Sequence, residues 1–169
     1  FLDKLGRIDG IADISLTTNG VLLKPHIERI MAAGIRRLNI SIDTLDRHKY
    51  AQITGADVFD QVWEGIWTAL EKGFSPVKLN VVALRGFNEN ELAQLAQLSI
   101  RHPFHVRFIE CMPIGRAMTS FRPPMLTPEI RSRIRELGEL HPVKNSLYDG
   151  PAQRFKFDNA EGEVGFISP

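Results

Sequence analysis

The stretch "LNISIDT", Leu38 to Thr44, alternates with the period of a β-strand. Leu38, Ile40 and Ile42 fall on one face, and Asn39, Ser41 and Asp43 on the other. Strands of a parallel sheet are usually covered on both faces and apolar throughout. This one is half polar, so its neighbours decide the architecture. "ADISL" (12–16) leads into "TTNG", and a helix follows with Leu23, Ile27, Ile30 and Met31 at helical spacing and Gly34 as its stop. The quoted strand spans 35–43. A longer helix places Phe59, Val62, Trp63, Ile66 and Leu70 on one face and ends at Gly73. The strand "VKLNVVAL" (77–84) comes next. Asn88 and Glu91 have the spacing of a capping box for the helix after it. "HVRFIE" (105–110) is a further strand, followed by a proline-rich loop over 113–124. Thr127 and Pro128 start a helix striped by Ile130, Ile134 and Leu137. Such a series implies a parallel sheet, open or closed into a barrel. After Gly138 the pattern changes: "AQRFKF" and "GEVGFIS", joined by "DNAEG", read as antiparallel strands.

The half-polar pattern recurs. Val77, Leu79 and Val81 alternate with Lys78, Asn80 and Val82, and Val106 and Phe108 alternate with His105, Arg107 and Ile109. Asp13, Ser15 and Thr17 share one parity. The apolar faces can pack on helices. The polar faces must meet water, a ligand or each other, because a buried unpaired charge costs several kcal/mol. An ordinary barrel fills its interior with Val, Ile and Leu. This pattern instead predicts a wide, wet lumen, in which Lys78 and Arg107 supply positive charge suited to phosphates. A sheet with one face in solvent would account for a single such strand better than for three.

Composition bounds the rest. The 169 residues are 43% hydrophobic and 24% charged, enough for a sizeable core without disulfides or a structural metal. The single cysteine, Cys111, excludes an internal disulfide and suits a reducing compartment. A formal net charge of +1 with no basic run argues against a nucleic-acid surface. No apolar run approaches the about 18 residues of a membrane helix, and no signal-peptide layout opens the chain. The expectation is a cytoplasmic protein bound to neither nucleic acid nor membrane. The uncapped helical start "FLDKLGRIDG" and the strand-like close "VGFISP" suggest that both ends are cut.

With the strands in place, "ISLTTNG", "LNISIDTL", "VKLNVV" and "RFIECMPIG", in that order, resemble the molybdenum-cofactor biosynthesis protein A family. These are GTP 3′,8-cyclases of the radical S-adenosylmethionine superfamily. Each motif alone is weak; four in order, over about 11–169, are specific. The resemblance implies an α/β fold: part of an incomplete (β/α)6 TIM-like barrel with a polar lumen over 1–138, then the start of a C-terminal antiparallel extension over 139–169. It implies S-adenosylmethionine near one end of the lumen, GTP near the other, and two 4Fe–4S clusters. One cluster cleaves S-adenosylmethionine to a 5′-deoxyadenosyl radical that takes hydrogen from the GTP ribose. The ribose carbon then attacks carbon 8 of the guanine. The family's cluster cysteines precede and follow a segment like this one, and Cys111 alone cannot hold a four-iron cluster. The family's glycine-rich stretch for the methionine end of S-adenosylmethionine is also missing. The chain by itself is therefore expected to be inactive.

By resemblance, Thr17, Lys78 and Arg107 bind GTP, and Ser41 and Met112 bind S-adenosylmethionine. Each has a plainer reading. Thr17 can be a strand-end cap, Ser41 a small residue bonded to its neighbours, and Met112 core filler. Lys78 can pair with a carboxylate such as Asp43 or Glu110, and Arg107 with an acid across the lumen. Asn39 and Asp43 share the Ser41 face and can orient it or bind water. Cys111 reads as a packed residue rather than a ligand. Glu110 and Arg116 can steady their loop without chemistry, and the histidines show no zinc spacing. Three other functions stay open: a radical enzyme acting on peptides, a phosphate-binding aldolase or epimerase barrel with Lys78 as Schiff-base lysine, and a non-enzymatic binding module. A barrel lacking strands has open edges, which invite pairing into a homodimer.

Overall fold

The computed structural model describes residues 1–5, 8–112, 123–144 and 149–168. The expected loop over 113–124 falls, for 113–122, outside the described residues, as does Arg116. A short helix α1 (Leu2–Leu5) precedes strand β1 (Ser15–Thr18), helix α2 (Leu23–Ala32) and strand β2 (Arg37–Ser41). Helices α3 (Arg47–Thr54) and α4 (Phe59–Glu71) lead to β3 (Val77–Ala83), α5 (Leu92–Arg101) and β4 (Phe104–Glu110). Helix α6 (Thr127–Ile134), β5 (Leu140–Pro142), β6 (Gln153–Phe157) and β7 (Glu163–Ile167) complete the order.

The strands form one seven-stranded sheet in the order β1-β2-β3-β4-β7-β6-β5. Strands β1 to β4 are mutually parallel, as the alternation of strands and helices predicted. The antiparallel pairing of β6 with β7 also follows the sequence reading, with Asn159 at positive φ in the turn between them. The sequence did not show that β7 also pairs parallel with β4, so the sheet runs unbroken past residue 138.

The apolar strand face is the core. Leu38, Ile40, Ile42, Leu79, Val81, Val106, Phe108, Val164 and Phe166 are all buried. They join one cluster with the helix stripes Leu23, Ile27 and Ile30, then Val62, Ile66 and Ala69, then Leu92 and Leu95, then Ile130 and Ile134. Each such side chain contributes roughly 1.5–3 kcal/mol on burial. Close approach fixes where α4 sits: a Cβ on Gly65 would lie 2.9 Å from the Gly20 carbonyl oxygen. Among the described residues no helix is long and apolar enough to cross a membrane.

One helix was not anticipated from the sequence, and one local expectation is corrected. Helix α3 buries only Tyr50, so it has no apolar stripe to announce it; the Asp46 carboxylate caps it by accepting from the His48 and Lys49 amides. The capping box at Asn88 and Glu91 does not form. Glu91 is itself the N-cap of α5 and makes no side-chain cap bond, because both side chains are turned to the ends of β2 and β3.

Where β7 enters the sheet, Gly162 lies against β4. A Cβ there would sit 2.0 Å from the Phe104 carbonyl oxygen, and the Gly162 amide donates to the Ser99 carbonyl at 2.8 Å. Backbone cannot yield as a flexible side chain can. Gly162→Ala should therefore destabilise the fold by about 3 kcal/mol or more, seen as a lower denaturation midpoint. An unchanged midpoint would show that β7 does not dock there.

Candidate functional site

Parallel register turns the strand alternation into rows on the face away from the helices. One row is Thr17, Asn39, Lys78, His105 and Glu163. The next, nearer the C-terminal strand ends, is Ser41, Asn80, Arg107 and Gly165, with Arg154 of β6 opposite Gly165. Residues two apart share a face, so Ser41, Lys78 and Arg107 stand on one side of the sheet and Ile40, Leu79 and Phe108 on the other. Thr17 and Ser41 are exposed; Arg107 is half-buried; Lys78 is only 5% exposed.

The charges on this face are unevenly matched. Arg37 pairs with Asp13 at 2.5 Å. Arg154 forks onto Glu163 through Nε and Nη2, both at 2.7 Å, and also pairs with the Asp149 carboxylate. His105 Nδ1 lies 3.6 Å from Glu163. Two cations keep no carboxylate among the described residues. Arg107 donates to the Asp149 backbone carbonyl at 2.7 Å and more distantly to Asn39 Oδ1 at 3.4 Å. Lys78 makes no hydrogen bond or ion pair among the described residues. Burial lowers its pKa to about 8, helped by the positive charges of Arg107 and Arg37.

The carboxylates that might have paired with Lys78 are committed elsewhere. Asp43 accepts from the Val82 amide at 2.8 Å, and burial raises its pKa against that bond. Glu110 belongs to the opposite parity; it accepts from the Thr127 amide at 2.6 Å and from Ser168 Oγ at 3.0 Å. Asn39 does lie in the row, with Nδ2 3.4 Å from Thr17 Oγ1. Met112, just past β4, is 43% exposed and so is not core filler in this structure. Cys111 is half-buried with Sγ 3.9 Å from the Met112 carbonyl oxygen. Among the described residues no group of three or more His, Cys, Asp or Glu could hold a metal ion.

Sequence reasoning passed over several residues. Asn80 stands between Ser41 and Arg107, and its Oδ1 is buried with no hydrogen-bond partner among the described residues. Its parity with Lys78 was the available signal. Nothing local pointed to Asp149, Arg154 or Glu163. A clamp also joins the ends of β2 and β3. Fully buried Asn88 donates to the carbonyls of Asp43 at 2.7 Å and Val82 at 2.8 Å, and accepts from the Leu84 amide at 2.8 Å. Glu91 accepts from Thr44 Oγ1 at 2.6 Å and the Leu45 amide at 2.8 Å, and pairs with Lys49. Burial pushes the Glu91 carboxyl up, but the bonds from Lys49, Thr44 and Leu45 together outweigh it and hold the pKa low.

The polar strand face thus carries two cations that form no ion pair with a carboxylate among the described residues. Residues 1–99 match the family profile described as the radical SAM superfamily. The chain belongs to the radical SAM superfamily. It is similar to proteins named GTP 3′,8-cyclase. That of Moorella thermoacetica is 43% identical over 166 residues, which is 98% of this chain and 51% of that protein. Those of Pelotomaculum thermopropionicum and Gloeobacter violaceus are 44% and 47% identical, covering 98% and 99% of this chain and 51% and 52% of those proteins. This radical SAM chain thus spans about half the length of the curated relatives it matches.

Two measurements follow. The Lys78 pKa is lower folded than unfolded, so between about pH 8 and 10.4 the unfolded chain binds the extra proton and stability rises with pH. Wild-type stability relative to Lys78→Met should climb through that window and be flat below it, read from denaturant midpoints. A flat difference throughout would mean that Lys78 is not held in a desolvating site. Glu91→Gln removes the charged acceptor of the clamp. It should cost about 1–3 kcal/mol, clearly more than Asp57→Asn in the exposed, solvent-screened Arg47 pair. Equal losses would remove the clamp from the account.

Proposed function

We propose that the protein carrying this chain is a GTP 3′,8-cyclase, a radical S-adenosylmethionine lyase of molybdenum-cofactor biosynthesis that converts GTP to 3′,8-cyclo-7,8-dihydro-GTP. The observation that carries this reading is the adjacent pair Lys78 and Arg107, two cations on one polar face that form no ion pair with a carboxylate among the described residues. The names of the relatives support it. The triphosphate lies against Lys78 and Arg107. Lys78 acts as a point charge, and the planar Arg107 fork meets two oxygens at once. Thr17, in the same row, contacts the nucleotide by its hydroxyl. All three bind and orient; none is suited to hydrogen-atom transfer.

S-adenosylmethionine fits the β2 side of the upper row, around Ser41 and Asn80, while Arg107 on the β4 side of that row is left to the triphosphate. The Ser41 hydroxyl is exposed there, the neighbouring Asn80 Oδ1 lacks a partner, and Met112 is exposed beyond β4. Ser41 and Met112 hold its adenosine side in this reading. Bound with a reduced 4Fe–4S cluster, it supplies the radical chemistry. The residues present do not fit either cluster: one cysteine and no metal-ligand group among the described residues leave the iron unheld by this segment. The chain alone is accordingly proposed to be inactive, the whole protein to be cytoplasmic, and its open sheet edges to be covered within the protein or by a second copy.

The depressed Lys78 pKa would also suit a Schiff-base lysine of an aldolase-type barrel. Borohydride trapping with a carbonyl substrate would reveal it, and no trapped adduct is expected.

In the full-length protein, Lys78→Ala or Arg107→Ala should weaken GTP binding about ten- to a hundredfold, from the roughly 1.5–3 kcal/mol of a charge-assisted bond. S-adenosylmethionine affinity should change far less. Calorimetry with each ligand checks both. Loss of S-adenosylmethionine affinity with GTP affinity retained would reverse the assignment of the two ligands.

A further inference from the structure

Arg107 is the more adjustable of the two cations, since a long side chain can swing its guanidinium several ångströms. What fixes it is not another strand of the parallel sheet. Its one short hydrogen bond, at 2.7 Å, goes to the backbone carbonyl of Asp149, in the segment that leads into β6. That carbonyl is itself held. The buried Asp149 carboxylate pairs with Arg154, and Arg154 Nη1 also donates to the Lys144 carbonyl at 3.3 Å. One guanidinium therefore contacts both Lys144 and Asp149. Arg154 is in turn locked by its fork onto Glu163 of β7, the neighbour of Arg107's own strand. Gly165 opens the way for the Arg107 stem, because a Cβ there would lie 3.3 Å from Arg107 Cγ.

We propose that Asp149 and Arg154 are positioning residues for the anion site: Arg154, braced on Glu163, holds Asp149 by its carboxylate so that the Asp149 carbonyl aims the Arg107 guanidinium at the triphosphate. This rests on the functional reading above. Arg154 is not itself a phosphate ligand, since two carboxylates already take up its charge. Its effect is transmitted through the geometry of Arg107. Replacing it with another cation of different shape should therefore do harm that a pure charge effect would not.

The test uses the full-length protein and four variants: Arg154→Lys, Asp149→Asn, Arg107→Ala, and Arg107→Ala combined with Arg154→Lys. Binding of GTP and of guanosine, which has no phosphate, is measured by calorimetry. Arg154→Lys keeps the charge but loses the fork, and is expected to weaken GTP binding about tenfold while leaving guanosine within about twofold. Asp149→Asn keeps the carbonyl but loses the carboxylate anchor. It should act in the same direction, and it serves if Arg154→Lys fails to fold. In the Arg107→Ala background, Arg154→Lys should have no further effect on GTP, because the residue it positions is gone. Equal losses for GTP and guanosine would reduce Arg154 to general structural support and overturn the proposal. So would an undiminished loss in the Arg107→Ala background, or no loss in the wild type. If Arg107→Ala itself leaves GTP affinity unchanged, it is the functional reading that fails, and the outcome separates the two.

Discussion

Lys78 carries an ammonium that is itself nearly buried into the polar sheet face, and no described carboxylate forms an ion pair with it there. An isolated buried ion costs several kcal/mol, and that cost opposes folding. The apolar face of the same strands offsets it. Val77 and Leu79, on either side in the chain, are buried in the core. The rest of the polar face is arranged around this constraint. Asp13, Asp149 and Glu163 are engaged by Arg37 and Arg154. Lys78 and Arg107 are left as a pair whose mutual repulsion a bound anion would relieve. An electrostatic site left incomplete by the protein is a site completed by its ligand.

The fold holds that pair rigidly from two directions. Below, the hydrophobic stripes of α2, α4, α5 and α6 fix the strand positions and hence the rows. Above, at the C-terminal strand ends, Asn88 and Glu91 tie the loop after Ser41 to the loop after β3. The tie converts two flexible connections into an extension of the sheet. Side chains of the upper row thus rest on backbone that cannot drift.

Strand β7 is the joint on the other flank. It is parallel to β4 on one edge and antiparallel to β6 on the other. That double pairing brings Arg154 and Glu163 beside Arg107, residues from a segment that sequence reading had set apart as an extension. Two glycines permit it. Gly162 lets β7 press against the β4 backbone, and Gly165 leaves room for the Arg107 stem.

The amino-acid order by itself determined which face each strand residue takes. Period-two alternation placed Ser41, Lys78 and Arg107 on one side and Ile40, Leu79 and Phe108 on the other, because β geometry leaves no other choice. It also determined the parallel series, the four polar motifs and the radical SAM resemblance. It did not reveal α3, which has almost no apolar face, or the true use of Asn88 and Glu91, whose spacing matched a local cap but whose partners at the end of β2 lie 45 and 47 residues away. Nor did it say who pairs with whom. Asp43 and Glu110 stood close to Lys78 as strand-end acids, yet one bonds the Val82 amide and the other faces α6. Partner choice depends on distances between strands and on which acids arrive from β6 and β7. Those distances exist only after the sheet has assembled, so the charge balance around Lys78 and Arg107 belongs to the tertiary structure alone.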